Sequence, residues 1–486
     1  MATSSDHLPS ARPGPARRPA PSRCAIIPPY VLEALAVSGD PRLEERAQRT
    51  LTQDAELRHH RSAPAVAPEG ARGAGRSPDE RALPPGPTRT VYDAGGLTRL
   101  PGEQVRAEGD PATGDAAVDE AYAGLGATYA LWASEYDRDS LDGRGLPLLA
   151  TVHYGRDYDN AFWDGDRMVF GDGDGVIFDR FTRSLDVIGH ELAHGVTQYT
   201  SGLVYRGQPG ALNEHVSDVF GVLVVQRERG HSVRDADWLI GADLLLPGVS
   251  GVALRSMRDP GTAYDDPRLG RDPQPAHMDD FVVTNADYGG VHINSGIPNR
   301  AFVLAATDMG GYAWERAGRI WFDTITGDIA ADCDFATFAR LTEAAAERRF
   351  GTGSPGHRSV VTAWSSVGVT EASPPWRPSP RTQARGGVGD AEVVVRRSGG
   401  FAGTVREGRV RLDELDDEDA HAWAELLTGP ELHAAAARTE QARGADSLWY
   451  SVCCDEPAVD VEVPDRALDD RTRHLLERAV RSDGRR

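Results

Sequence analysis

The segment Asp186-Val187-Ile188-Gly189-His190-Glu191-Leu192-Ala193-His194 carries reactive side chains at a spacing that suits one metal ion. Four residues along a helix advance about 400°, which leaves His190 and His194 about 40° apart around the axis. Two neutral imidazoles on one helix face can hold a single Zn²⁺. Glu191 beside them can take a proton from a zinc-bound water. A catalytic zinc needs a third protein ligand and one open position. A third histidine further along the same stretch is ruled out, because that position is Thr200, and Thr197 stands where such a pattern has glycine. A carboxylate is available instead in Ala211-Leu212-Asn213-Glu214-His215-Val216-Ser217-Asp218. Glu214 can reach the metal. Asp218, one turn on, can accept a hydrogen bond from the outer nitrogen of a ligand histidine and so fix its tautomer. Asn213 is a further candidate for that supporting role.

These residues need two helices that face each other. The apolar spacing predicts one helix over 184–200 and another over 212–229, and two antiparallel helices joined by a loop bring the two pairs together. Further helices are expected over 41–59, 116–136, 293–308, 314–325, 335–350 and 360–369. Strands are expected over 91–93, 104–106, 148–154 and 167–170. A short helix is expected from Tyr30, since Pro28 and Pro29 block an earlier start. The last hundred residues have their own pattern: strands over 392–396, 404–412, 448–453 and 458–463, with helices over 417–427 and 469–480.

In this order the residues resemble the thermolysin family of zinc metallopeptidases. The twenty residues from His194 to Glu214 match that family's third-ligand spacing. The resemblance implies an α+β, two-lobed peptidase, with a mixed α/β N-terminal lobe and a mainly α-helical C-terminal lobe. Other segments carry implied roles. Asn160-Ala161-Phe162-Trp163 resembles the edge strand that pairs with substrate backbone. Gly202-Leu203-Val204-Tyr205 places Tyr205 toward the scissile carbonyl. Leu254-Arg255-Ser256-Met257 resembles the segment lining the pocket just after the cut bond. Gly289-Gly290-Val291-His292-Ile293-Asn294-Ser295-Gly296 resembles the catalytic histidine motif, with Asp287 orienting His292. Leu254, Val187 and Phe181 are expected to form an apolar pocket, and Arg255 to hold a substrate carbonyl beside it.

The leader with Ile27-Pro28-Pro29-Tyr30 points to the protealysin-like branch, whose members resemble precursors with a brief propeptide. At the family's double calcium site Asp186 and Asp237 remain. Val225, Leu239 and Ala242 occupy the other aligned positions and cannot ligate a hard cation. That double site is therefore expected to be lost or reduced. Val393-Val394-Val395-Arg396-Arg397 and the loop Ser398-Gly399-Gly400-Phe401-Ala402-Gly403 resemble emfourin, a protein inhibitor of such peptidases. The loop residues Ser398, Gly399, Gly400 and Phe401 are candidate inhibitory residues, and the added domain is a small α+β unit.

The whole chain has 486 residues, 40% of them apolar, and a net charge of -21. Its pI is about 5.1. It contains no lysine, so all its side-chain cations apart from histidine are arginine. Such an acidic chain repels nucleic acid and anionic membranes, which excludes both as partners. The expected partners are protein or peptide substrates, the chain's own propeptide and its own C-terminal domain. Cys24, Cys333, Cys453 and Cys454 form no CxxC pair, which speaks against a cysteine zinc site. Residues 1–23 lack an apolar stretch of signal-peptide type. The location is expected to be outside the cell by a non-classical route, or cytoplasmic.

Composition marks a disordered start (1–25) and two linkers (61–89 and 370–389), and the resemblance implies a short propeptide (26–60), a maturation cut in the first linker, two peptidase lobes (90–197 and 198–369) and the inhibitor-like domain (390–486). A rival reading is a catalytically silent or latent zinc protein that delivers the inhibitor-like module.

Overall fold

The computed structural model describes residues 25–59, 86–369, 392–399, 406–412, 415, 417–428, 432, 448–454 and 459–480. Short runs with alternating or continuous apolar residues form a five-stranded sheet: β1 (Arg89–Asp93), β2 (Glu103–Ala107), β3 (Leu148–Val152), β4 (Ala161–Trp163) and β5 (Met168–Phe170). Its order is β2-β1-β3-β5-β4. β1, β3 and β5 run parallel, while β2 and β4 are antiparallel to their neighbours. β4 therefore forms one edge, with Phe162 opposite Val169.

Helix α3 (Ala116–Tyr136) starts where the Asp115 carboxylate accepts the amides of Ala117 and Val118. It lies against the sheet and against α4 (Leu185–Tyr199), which is buried from Asp186 to Gln198. Gly124 permits the close approach, since a Cβ there would stand 2.4 Å from Ile188 Cδ1. Past α4 the chain is mainly helical: α5 (Gly207–Arg229), α6 (Asp287–Asn294), α7 (Gly296–Met309), α8 (Ala317–Ile325), α9 (Phe335–Phe350) and α10 (Pro355–Ser366). Sheet, α4 and these helices share one apolar core. Among the described residues, no helix is long and apolar enough to cross a membrane.

The leader belongs to the same core. Ile26, Ile27, Val31, Leu32 and Leu35 are all buried within it. Helix α1 (Pro29–Leu35) begins at a proline rather than at Tyr30. The first turn tolerates this because its amides need no partner inside the helix. Helix α2 (Pro41–His59) spans its expected length. It is fastened to the loop before β4. Arg46 Nε donates to Asp159 Oδ2 at 3.0 Å, Tyr158 OH to Asp54 Oδ1 at 2.6 Å, and the Asp159 amide to Thr50 Oγ1 at 3.0 Å.

The chain divides into two units, one up to Pro375 and one from Trp376. In the second, an antiparallel sheet has the order Arg406–Arg411, Glu392–Gly399, Leu448–Cys454, Val459–Pro464. It has its own core, built on Val393, Val395, Trp423, Tyr450, Val452 and Leu476. The fold is thus α+β in both units, with a thermolysin-like arrangement in the larger one. The expected inhibitory loop starts later than Ser398. Ser398 and Gly399 still pair in the strand, opposite Trp449 and Leu448. Gly400 and Phe401 lie outside the described residues.

Candidate active site

Helices α4 and α5 cross where each carries a glycine. A Cβ on Gly189 would stand 3.1 Å from Gly221 Cα, and one on Gly221 would stand 2.6 Å from the Asp186 carbonyl oxygen. Glycine at both positions lets the backbones meet, which brings His190 and His194 up to Glu214 and Asp218. All four are fully buried.

The hydrogen bonds fix the histidine tautomers. His190 Nδ1 lies 2.8 Å from Asp218 Oδ1, and His194 Nδ1 lies 2.8 Å from Asn213 Oδ1. The Asn213 amide nitrogen donates to the Leu203 carbonyl at 3.0 Å, which sets its oxygen toward His194. Both Nδ1 atoms therefore carry the proton and both Nε2 atoms present lone pairs. Those two Nε2 atoms are 3.1 Å apart. The Glu214 carboxylate is 3.5 Å from each, and its Oε2 is buried with no hydrogen-bond partner. Two lone pairs and an orphaned carboxylate oxygen converging in a buried space suit a cation, and the N₂O donor set suits Zn²⁺. No other group of three ligand-type side chains gathers in this way among the described residues.

The surrounding charges are arranged by burial. Asp218 also accepts from Arg255 Nη2 (2.9 Å), Arg255 Nε (3.1 Å) and Asn299 Nδ2 (2.8 Å). Burial alone would raise its pKa, but the Arg255 charge and His190 hold it far below the carboxylate range. Burial likewise opposes ionisation of Glu214, yet the facing histidines bring its pKa down to about 2. Burial lowers the His194 pKa to about 4, keeping it neutral. Glu191 moves the other way. Burial and the nearby Glu214 carboxylate raise its pKa well above the ordinary value. Its Oε2 accepts the Trp163 amide at 2.9 Å, while Oε1 has no partner. Glu191 is thus aimed by the edge strand itself.

His292 and Tyr205 close the site on the side of Glu214. The Tyr205 hydroxyl donates to Glu214 Oε1 and lies 3.3 Å from His292 Nε2. His292 Nδ1 donates to Asp287 Oδ1 at 2.5 Å, and its backbone amide donates to Asp287 Oδ2 at 2.8 Å. Burial works against the charged ring, but Asp287 and Glu214 together raise its pKa. Four successive residues, Asp287 to Gly290, take positive φ values between 53° and 85°. This left-handed turn folds the Asp287 carboxylate back onto the histidine five residues later, and Gly289-Gly290 makes it affordable only in part, since Asp287 and Tyr288 share the conformation.

The leader occupies the free edge of β4. Ala25 bridges Phe162 in antiparallel sense. The Ile26 amide donates to the Ala161 carbonyl at 3.0 Å, and the Ile27 amide to Asn160 Oδ1 at 2.9 Å. Asn160 Nδ2 returns a bond to the Ile27 carbonyl at 3.2 Å, and Arg255 Nη1 reaches the Ile26 carbonyl at 3.4 Å. Ile26, Leu254, Val187 and Phe181 are all buried and all belong to the apolar core of this unit. The structure therefore brings together the expected ligands, Glu191, His292, Asp287, Tyr205, and the segment 160–163 with Arg255. Sequence reasoning missed Ser217, whose hydroxyl is 3.0 Å from His194 Nδ1, Asn299 behind Asp218, and the Gly189–Gly221 contact. Glycine inside two apolar helices was the available signal for the last.

Asp186, Val225, Asp237, Leu239 and Ala242 line one shallow cavity. Asp186 is already engaged there, accepting from Ser184 Oγ, the Val187 amide and the Gly241 amide.

An HExxH helix facing a glutamate third ligand, on a sheet lobe joined to a helical lobe, defines a class of zinc metallopeptidase. Comparison agrees: residues 87–198 match the thermolysin metallopeptidase catalytic domain, and 201–369 match its alpha-helical domain. Residues 395–479 match emfourin. An extracellular metalloprotease of Pectobacterium carotovorum subsp. carotovorum is 50% identical over 352 residues, covering 71% of this chain and 96% of the relative. Protease PrtS of a Photorhabdus species is 51% identical over 284 residues, covering 58% and 76%. The solved precursor of protealysin from Serratia proteamaculans superimposes with a TM-score of 0.64 at 50% identity, covering 71% of this chain and all of that one. The chain belongs to the thermolysin family of metallopeptidases and is a metalloendopeptidase with His190, His194 and Glu214 as its zinc ligands.

Proposed function

We propose that this chain is the precursor of a neutral endopeptidase that cuts before bulky apolar residues and is held latent by its leader. The contact that carries this reading is the Ala25–Ile27 segment on β4, with an isoleucine in the apolar core and Arg255 on its carbonyl. A substrate laid in the same place would present an apolar side chain just after the cut bond.

Zinc, when bound, would lower the pKa of a water and polarise the scissile carbonyl. The chain's own residues do the rest. Glu191 takes the water proton as general base and passes it to the leaving amine. Tyr205 and His292 stand on the Glu214 side and donate to the oxyanion that develops. Asp287 keeps His292 oriented. Asp218, held by Arg255 and Asn299, keeps the His190 tautomer. Near Asp186 the chain takes up at most one calcium ion, because Val225, Leu239 and Ala242 offer no side-chain oxygen where the family's double site needs carboxylates.

The test is hydrolysis of a quenched peptide library by the matured chain. Chelation should abolish it and added Zn²⁺ restore it, with cuts before Leu, Ile or Phe. Cleavage that survives full zinc removal would defeat the enzymatic reading. Cleavage mainly before charged residues would defeat the pocket.

A further inference from the structure

The orientation of the leader says more than that it fills the cleft. β4 runs from Ala161 toward Trp163, and the Trp163 amide is bonded to the Glu191 carboxylate. The leader runs the opposite way. Ala25, opposite Phe162, therefore lies on the Glu191 side of Ile26, and the residues after Ile27 head away from it. The register is fixed at three points: Ala25 opposite Phe162, the Ile26 amide on Ala161, and the Ile27 amide on Asn160. The ladder stops there because Pro28 and Pro29 have no amide hydrogen to donate. Arg255, whose guanidinium is paired to the carboxylate behind ligand His190, is bonded to the Ile26 carbonyl. On the reading above, the residue whose carbonyl Arg255 holds is the one just after the bond to be cut. That residue is Ile26.

We propose that the Ala25–Ile26 peptide bond is a self-cleavage site, hydrolysed within the same molecule before the leader is released. This inference rests on the peptidase reading of the site. The bond between the Ala25 carbonyl carbon and the Ile26 nitrogen breaks. A water oxygen joins the carbonyl carbon, one water proton reaches the Ile26 nitrogen through Glu191, the second passes from the new carboxyl group to the amine, and the products are an Ala25 carboxylate and an Ile26 ammonium. Leader and base belong to one chain, and the register sets the leader on the strand that holds Glu191, so the reaction is intramolecular, which favours it over cutting a second molecule. The side chain of Ile26 is fully buried, so an outside protease has poor access to this bond. The cut does not free the leader. Its helix stays fastened through Arg46 to Asp159, Asp54 to Tyr158 and Thr50 to the Asp159 amide.

The experiment uses the full chain, zinc-loaded, beside its Glu191→Gln variant, read by intact mass and N-terminal sequencing. The expected result is a species beginning Ile26-Ile27-Pro28 and a released peptide ending at Ala25. It should appear in the wild type at a rate independent of protein concentration, and not in Glu191→Gln. The chain has no lysine, so an amine-reactive label marks chain termini only, and this cut adds one label per molecule. Adding matured wild type to Glu191→Gln precursor should not generate the Ile26 terminus. The proposal is overturned if the wild type hydrolyses an added peptide yet yields no Ile26 terminus, or if that terminus arises in Glu191→Gln on mixing. If the wild type cuts neither itself nor the peptide, the peptidase reading falls with it.

Discussion

At the scale of single residues, the site separates holding a metal from moving a proton. His190, His194 and Glu214 converge as ligands, whereas Glu191 is turned aside to the edge strand by the Trp163 amide. Glu191→Gln should therefore retain one zinc per chain by elemental analysis while losing about 10²–10⁴-fold in peptide hydrolysis. Loss of zinc in that variant would mean Glu191 helps bind it. Asp218→Asn should behave differently. It keeps an oxygen for the His190 proton but removes the carboxylate charge behind that ligand and leaves buried Arg255 without its counter-ion. Zinc affinity should fall about 10–100-fold, and stability by about 3–5 kcal/mol, measured by competition with a chelator and by chemical unfolding. His190 and His194 were legible because helical periodicity places residues four apart on one face, and Glu214 because its separation from His194 matches the thermolysin family's third-ligand spacing. Ser217 and Asn299 were not, because their roles depend on which helix faces meet across the core.

At the scale of elements, the α4–α5 crossing sets the ligand geometry. Gly221→Ala puts a methyl against the Asp186 carbonyl at 2.6 Å, so the helices must part. The variant should lose about 1–3 kcal/mol in stability and bind zinc more weakly. A second junction is sensitive to pH. His153 bridges Asp172 (2.8 Å) and Asp115 (3.2 Å), the residue that caps α3. The bond to Asp172 outweighs partial burial and raises the histidine pKa from 6.5 to about 9. A raised folded-state pKa means the stabilisation is complete below about pH 6.5 and disappears as pH rises through 9. His153→Asn, which tolerates the local φ of 53°, should lower the melting temperature at pH 6 and make no difference near pH 10. A gap that persists at pH 10 would rule the bridge out. Helix boundaries were read well where a cap or apolar spacing marked them, as in α3 and α9. α10 begins at Pro355 rather than near Val360, because Ser354 caps it and a proline suits the first turn. The left-handed turn at Asp287–Gly290 was unreadable, since Asp287 and Tyr288 adopt it only under tertiary constraint.

At the scale of the molecule, the second unit matches emfourin over residues 395–479 and has a core of its own. Covalent linkage in one chain gives such a unit an effective concentration on the order of millimolar toward its own peptidase, so even weak inhibition would be felt by the chain that carries it. A chain ending after Val369 should cleave a small peptide several-fold faster than the matured full-length chain. Equal rates would show that the tail does not act on its own peptidase. The leader's helices and the inhibitor-like strands were both legible from apolar spacing. That the leader would thread the edge strand was not, because the extended part among the described residues is three residues long and gains its partners from Asn160, Ala161 and Arg255.

The many fastenings between α2 and the loop before β4 also govern what happens once the connection beyond His59 is severed. The leader then becomes a separate molecule at the same concentration as its host, and the fraction of open clefts obeys mass action. A concentrated preparation would look inert and would wake on dilution, with activity per milligram climbing as the sample is thinned.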